Sequence, residues 1–462
     1  MEKNKIRDFI IALLLLLAAF FAPAVGALDQ SMVRVVFLIA FSIFLWVKQP
    51  VPIGITSLLV IVLMPLLGLT ESLNDAFYGF STPSNYFVIA SFGVAIAIRK
   101  TTIPSRILKL LLQTSEGDFK KIILAYMIMT YIISTIMSDI TAVMIAIAFA
   151  VDLLDEMPDK RKKQELGRGL LISLPLASVI GGTATPAGST VNVMALNVLS
   201  MNTQIEVPFL TWCFLGMPVS IVILFITWLL VTRLYPAENL SADDLEHFLQ
   251  KMKNAKPAVK SEKALITVIV LMIIAWIAGT WIKPLNTTTV AIVGLLLMFL
   301  PGVNAFSWKE FTEGVNWEIF LMGGTAISLG NLAQQSGIVT LFADWCQASF
   351  SNITEPLLIG IVGVMVTLVL TVIPVGPATV SMLTMPVYIM ASTLGFNPVM
   401  AVVTVGIFAS NSSILPLNSV MLLSYTKGYW KTIEMTKLGI LVSICWIILA
   451  AMWIPLASGW IL

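Results

Sequence analysis

Charge is scarce in this chain. Of its 462 residues only 11% are Asp, Glu, Lys or Arg, where soluble domains carry about 25%. That is too little to cover a water-exposed surface, so a soluble globular domain is excluded. The formal net charge of +2 offers no basic face, and no nucleic-acid partner is expected. Histidine occurs once, at His247, within the one long polar stretch. The three cysteines, Cys213, Cys346 and Cys445, are widely separated and each lies in or beside an apolar run. A disulfide framework, a metal cluster and a resident cofactor are therefore not expected. With no HExxH and no basic cluster at membrane depth, an intramembrane enzyme is not indicated either.

What the chain has is apolar length. Hydrophobic residues make up 58% and the mean hydropathy is +0.95. Crossing about 30 Å of hydrocarbon takes about 20 helical residues, and runs of that order recur from end to end, whereas a barrel would show short alternating strands. The expected class is an all-α polytopic membrane protein. Apolar segments fall near 8–28, 32–47, 52–69, 82–98, 122–151, 170–199, 208–232, 264–282, 286–300, 317–343, 356–392, 399–424 and 436–457. If all of them crossed, Lys160, Arg161, Lys162 and Lys163 would lie opposite Arg99, Lys100, Arg106, Lys109, Lys120 and Lys121, against the rule that cytoplasmic loops collect basic residues. Treating 122–151 and 356–392 as re-entrant hairpins leaves about eleven crossings. The N-terminus is then cytoplasmic, and only Arg34 and Lys283 of the 27 basic residues lie outside. The run at 1–28 follows Lys3, Lys5 and Arg7 and resembles a secretory signal, but it is long enough to span and is read as an N-terminal transmembrane helix. Cleavage there would leave the chain outside at Asp29 all the same.

An internal repeat is visible. WVKQP at 46–50 is echoed by WIKP at 281–284, and VLMPLLG at 62–68 by LMFLPG at 297–302, at an offset of about 234 residues. DITAV at 139–143 falls opposite PATVS at 377–381, and Pro186 with Ser189 opposite Pro416 with Ser419. Lys48 lies inside and Lys283 outside, so the units are inverted, as in many secondary transporters. The expected domains are 1–28, a first repeat at 29–232 with hairpin 122–151, a cytoplasmic connector at 233–263, and a second repeat at 264–462 with hairpin 356–392.

The candidate functional stretches are the places where apolar runs break. IGGTATPAGSTVN at 180–192 and SNSSILPLNS at 410–419 fall at matching mid-membrane positions. Irregular backbone at that depth is tolerated only where protein buries it or it lines a watery cavity. Gly181, Gly182 and Gly188 allow unwinding and close approach, and Pro186 removes a donor. Freed carbonyls there can hold a cation, and a half-helix N-terminus can hold an anion; close helix packing by small residues is the alternative. At the first hairpin tip Asp139 stands among apolar residues, able to coordinate a cation, carry a proton or sit paired. At the second, IPVGPATVS at 373–381, Pro374, Gly376 and Pro377 break the helix, and Thr379 and Ser381 offer hydroxyls. Glu318 reads as an interfacial residue.

At these residues the chain resembles the divalent anion:sodium symporter family of di- and tricarboxylate and sulfate transporters, over nearly its whole length. GGTATPAGSTVN is similar to the family's glycine-rich break, whose ending of threonine, two prolines and asparagine is here Ser189, Thr190, Val191 and Asn192. The family's Ser-Asn-Thr tip signature falls first on Ser138, Asp139 and Ile140, with Thr141 just beyond, and again on Val375, Gly376 and Pro377, with Thr379 just beyond. The resemblance implies cation-binding by Ser138, Asp139 and Gly182. It implies substrate-binding by Thr141, Thr185, Ser189, Asn192, Thr379, Asn418 and Ser419. It also implies sodium or proton coupling, no metal beyond sodium, a homodimer, and residence in a bacterial cell membrane. The departures are specific: Asp139 adds a negative charge that favours a cation and repels an anion unless neutralised, and the second tip lacks all three signature side chains. The expected function is secondary active transport of a small dianion by alternating access, with the hairpins and breaks moving against a scaffold containing 32–69 and 264–300. A cation/proton antiporter, an uncoupled anion exchanger and a channel are the alternatives.

Overall fold

The computed structural model describes residues 2–21, 23–26, 28–203, 205–253, 262–338, 353–372 and 374–461, with scattered positions between 340 and 349. Among the described residues there is no strand, only an isolated bridge between Val25 and Leu28, and the regular structure is helical. In chain order the α-helices are α1 Glu2–Phe21, α2 Gln30–Lys48, α3 Ile53–Leu66, α4 Leu73–Ala76, α5 Pro83–Arg99, α6 Ile103–Gln113, α7 Phe119–Ser134, α8 Asp139–Asp155, α9 Lys160–Gly182, α10 Thr190–Thr203 and α11 Phe209–Leu234. There follow α12 Ala242–Lys253, α13 Glu262–Ala278, α14 Thr287–Phe299, α15 Trp308–Gly314, α16 Trp317–Gln335, α17 Glu355–Val372, α18 Gly376–Thr393, α19 Pro398–Phe408, α20 Ser419–Tyr425 and α21 Thr432–Ile461.

Every apolar segment read from the sequence holds helix among the described residues, and several are divided. The run 122–151 divides into α7 and α8 at 135–138, and 170–199 into α9 and α10 around a 3₁₀ turn at Pro186–Gly188. The run 356–392 divides into α17 and α18, and 399–424 into α19 and α20. Among the described residues three helices are alone long and apolar enough to cross a membrane: Phe209–Leu234, Glu355–Val372 and Thr432–Trp460. Asn85–Arg99 and Ile103–Gln113, bent by 57° at a short break, together make a fourth. Interrupted helices are what a segment rich in glycine, proline and hydroxyls gives when lipid is the solvent, because backbone freed at a break must be satisfied by protein.

The chain forms two compact units, each drawing on both halves of the sequence. The first comprises Met1–Ile89, Val193–Val207 and Asn316–Ala409. In it α1 packs on α2, α2 on α3, and α16 on both α3 and α18. Three hydrogen bonds between buried groups tie its helices together: Trp46 Nε1 donates to Ser57 Oγ at 3.2 Å, Thr325 Oγ1 to the Ser57 carbonyl at 3.1 Å, and the Gly79 amide to Ser328 Oγ at 2.9 Å.

The second unit comprises Ala90–Asn192, Pro208–Val315 and Ser410–Leu462. Its centre is α9, packed by α7, α8, α11 and α20, with every residue from Gly169 to Gly182 buried. Asp118 and Asp159 fix where α7 and α9 begin. Each carboxylate accepts two first-turn amides, those of Lys120 and Lys121 for Asp118 and of Arg161 and Lys162 for Asp159, which satisfies donors that a helix cannot pair internally. The Tyr131 hydroxyl meets Ser220 Oγ at 2.8 Å and ties α7 to α11.

Candidate functional site

The break after α9 is held by close backbone approach. A Cβ on Gly188 would stand 2.6 Å from the Gly182 carbonyl oxygen and 2.7 Å from that of Ser134, and one on Gly181 would stand 2.5 Å from the Tyr131 carbonyl oxygen. Only glycine fits, because backbone cannot yield as a flexible side chain can. Thr185 Oγ1 accepts from the Gly188 amide at 3.1 Å and donates to the Thr135 carbonyl at 2.5 Å. Asn192, fully buried, donates from Nδ2 to the carbonyls of Gly182 (2.8 Å) and Thr185 (2.9 Å). These two carbonyls fix the orientation of the amide and use both its protons. What remains is Oδ1, which is buried with no hydrogen-bond partner. Asn192 therefore presents an acceptor and no donor.

The first hairpin tip docks against the same break. Ser178 Oγ, on α9, donates to the Asp139 carbonyl at 2.5 Å, and Ser134 Oγ, on α7, donates to the Ser178 carbonyl at 2.6 Å. This bolt sets the start of α8 beside the end of α9, so a Cβ on Gly182 would lie 3.6 Å from Asp139 Cβ. Asp139 Oδ1 accepts from the Ile140 amide at 2.9 Å, with Ser138 Oγ at 3.4 Å. Ser138 is buried, and Asp139 and Thr141 are half-buried. The cluster consists of a carboxylate, a hydroxyl and the carbonyl end of α9, whose dipole is negative there. Oxygen acceptors gathered with one negative charge suit a hard cation and disfavour an anion.

The second break meets the first. Ser189 Oγ and Ser410 Oγ lie 3.1 Å apart, both buried. Beyond Ser410, Asn411 Nδ2 donates to Ser443 Oγ at 3.1 Å and Ser413 Oγ donates to Asn411 Oδ1 at 2.7 Å. Asn418 caps α20 by accepting the Met421 amide at 3.0 Å, and Ser419 is exposed. Thr379 belongs to the first unit. It is buried in the first turn of α18, where its Oγ1 donates to the Val375 carbonyl at 3.2 Å.

Ser138, Asp139 and Gly182 are thus brought together, Thr185 and Asn192 brace the break behind them, and Ser189 joins the second break. Three residues that the sequence did not single out as site residues have structural parts here: Ser134, Ser178 and Ser410.

Residues 3–461 match the family described as the sodium:sulfate symporter transmembrane region. The chain is 23% identical over 451 residues to the sodium-dependent high-affinity dicarboxylate transporter 3 of Caenorhabditis elegans, covering 86% of this chain and 78% of that one. It is 25% identical over 398 residues to the sodium-dependent dicarboxylate transporter SdcS of Staphylococcus aureus strain USA300, covering 81% and 76%. Among solved structures it resembles Neisseria gonorrhoeae MtrF, of a class of antimetabolite efflux pumps, with a TM-score of 0.55 at 14% identity over 98% of this chain and 94% of that one. It also resembles the Alcanivorax borkumensis YdaH transporter, with a TM-score of 0.53 at 14% identity over 85% and 88%. These two structures share the fold. By the match over its whole length, the chain belongs to the sodium:sulfate symporter family, the divalent anion:sodium symporters, and is a multi-pass membrane transporter rather than an enzyme.

Proposed function

We propose that this transporter carries a small dicarboxylate across a bacterial cell membrane together with sodium, by alternating access. The observation that carries the reading is the gathering of Ser138, Asp139 and the Gly182 end of α9 into a cluster of oxygen acceptors at a helix break. The names of the two relatives, both sodium-dependent dicarboxylate transporters, supply the substrate class and the coupling ion. In this reading Ser138, Asp139 and Gly182 hold the cation, and Asn192 joins them through its unpaired oxygen. This moves Asn192 from the substrate side, because a carboxylate cannot bond an acceptor. Thr185 keeps the break in shape. Ser189, Thr141, Asn418 and Ser419 remain the proposed substrate contacts, and Thr379 is proposed as a substrate-sensitive residue from its place beside the second signature. About eleven crossings, two re-entrant hairpins, inverted repeats, a cytoplasmic N-terminus and a homodimer belong to the same proposal.

The test is uptake of labelled succinate, malate, citrate, tartrate or sulfate into proteoliposomes under sodium or choline gradients, paired with thermal stabilisation of the purified protein. A ligand at a hundred times its dissociation constant stabilises by about 2.7 kcal/mol. Sodium-driven uptake of a dicarboxylate, lost in Asp139→Asn, supports the reading. The lone carboxylate of the cluster also fits a cation/proton antiporter. Proton-dependent cation flux abolished by Asp139→Asn, with no anion bound, would put that mechanism in its place.

A further inference from the structure

The polar connector is fastened to both ends of the helix pair that carries the cation cluster. At the start of α7, Asn239 Oδ1 accepts the Phe119 amide at 3.2 Å, and the Leu240 amide donates to the Gly117 carbonyl at 2.8 Å. At the end of α8, Glu156 accepts from Lys251 Nζ at 2.8 Å and pairs with His247 Nδ1 at 3.0 Å. At the start of α9, Glu238 pairs with Lys162 at 3.0 Å. On its other face α12 packs against α6, with Leu245, Phe248 and Met252 buried. Their spacing of three and four residues forms one apolar stripe.

Each exposed ion pair by itself contributes little. Their placement gives them weight. A helix is axially stiff, and the 17 residues of α8 run from Asp139 to Asp155, so a shift at Glu156 moves Asp139 along the same axis. Oxygen–cation distances tolerate only a few tenths of an ångström. We propose that residues 235–252 act as a clasp that sets the axial position of α8, with Glu156 as its positioning residue and His247 and Lys251 as its grips, so that sodium affinity depends on this distant contact. The proposal rests on the assignment of Ser138 and Asp139 as sodium ligands.

The test uses the full chain in proteoliposomes. Glu156→Lys sets a like charge against Lys251 and removes the acceptor that His247 Nδ1 meets, and pairing it with Lys251→Glu restores opposite charges across the Lys251 contact. The half-saturating sodium concentration is expected to rise about three- to fivefold in the single variant, the change supplied when the Lys251 pair is lost and turned repulsive, with a smaller effect on maximal rate. The charge-swapped double variant returns it to within about twofold. Amide hydrogen exchange over residues 133–142 should rise and fall with it. An unchanged sodium requirement and exchange in folded Glu156→Lys overturns the clasp, as does a double variant that fails to recover. If Glu156→Lys does not fold, Lys251→Ala and His247→Ala, both at exposed side chains, carry the same comparison. If the wild type shows no sodium dependence, the functional reading fails, and the exchange measurement alone decides the clasp.

Discussion

Replacing Asn192 with alanine isolates the contacts that hold the first break. The side chain is fully buried and its two donated hydrogen bonds, at 2.8 and 2.9 Å, end on the Gly182 and Thr185 carbonyls. Each bond contributes about 1 kcal/mol net, and the Gly182 carbonyl, left unpaired away from water, adds about 1–3 kcal/mol, while the Thr185 carbonyl still accepts the Gly188 amide at 3.2 Å. Relief of the unpaired Oδ1 offsets part of this. The expected loss is about 2–5 kcal/mol. The assay is thermal unfolding of the purified protein in detergent, followed in sodium and in choline. In choline the alanine variant should unfold several degrees earlier, reporting the lost bonds. The additional stabilisation by sodium should shrink, reporting the lost Oδ1. Asn192→Asp keeps the shape but sets oxygen against two carbonyls, and should be no more stable than alanine. An alanine variant that melts with the wild type in choline would refute the account of the break. One that loses stability but keeps the full sodium increment would refute the role given to Oδ1.

Other substitutions probe neighbouring parts. Gly188→Ala drives a methyl into two backbone carbonyls and should cost about 1–3 kcal/mol in thermal unfolding; Gly459→Ala, with nothing within 4 Å of the added carbon, is the matched control. Asn418→Ala removes the cap of α20 and should cost about 1 kcal/mol, while Asn418→Asp, which can still accept from the Met421 amide, should be nearly neutral. Lys100 donates to Glu310 at 2.6 Å, and the amide and hydroxyl of Ser307 also donate to it, so its carboxyl is held down from 4.5 to about 2. A depressed carboxylate contributes fully above 4.5 and loses its effect as pH falls toward 2. Acid titration of unfolding should therefore be flatter across that window in Glu310→Gln than in the wild type.

The break at 180–192 was legible because glycines, a proline and an asparagine have no place in an uninterrupted apolar helix. The break at 135–138 was harder to see. Thr135, Ile136 and Met137 include no breaker, and only Asp139 among apolar residues marks the tip. Ser134 and Ser178 were not legible for a different reason. Thr130 and Thr227 return their hydroxyls to the carbonyl four residues back in the same helix, the ordinary fate of such groups in apolar helices. A hydroxyl that reaches a neighbouring helix instead looks identical in sequence, and only packing tells them apart. In the sequence Asn192 reads as a substrate-binding residue; that the carbonyls of Gly182 and Thr185 use both its amide protons depends on packing that the sequence does not display. In the sequence α12 reads as part of a polar connector, although Leu245, Phe248 and Met252 carry its helical periodicity.

The Ser189–Ser410 contact also bears on the order in which the protein is made. The two hydroxyls are 221 residues apart in the chain, and synthesis at about 5–20 residues per second separates their emergence by roughly 10–45 s. During that interval the first glycine-rich segment sits in the nascent membrane domain without the serine that later meets it. Insertion machinery or lipid headgroups have to tolerate an unfinished polar surface for that long, and a fragment truncated before residue 410 carries that burden permanently.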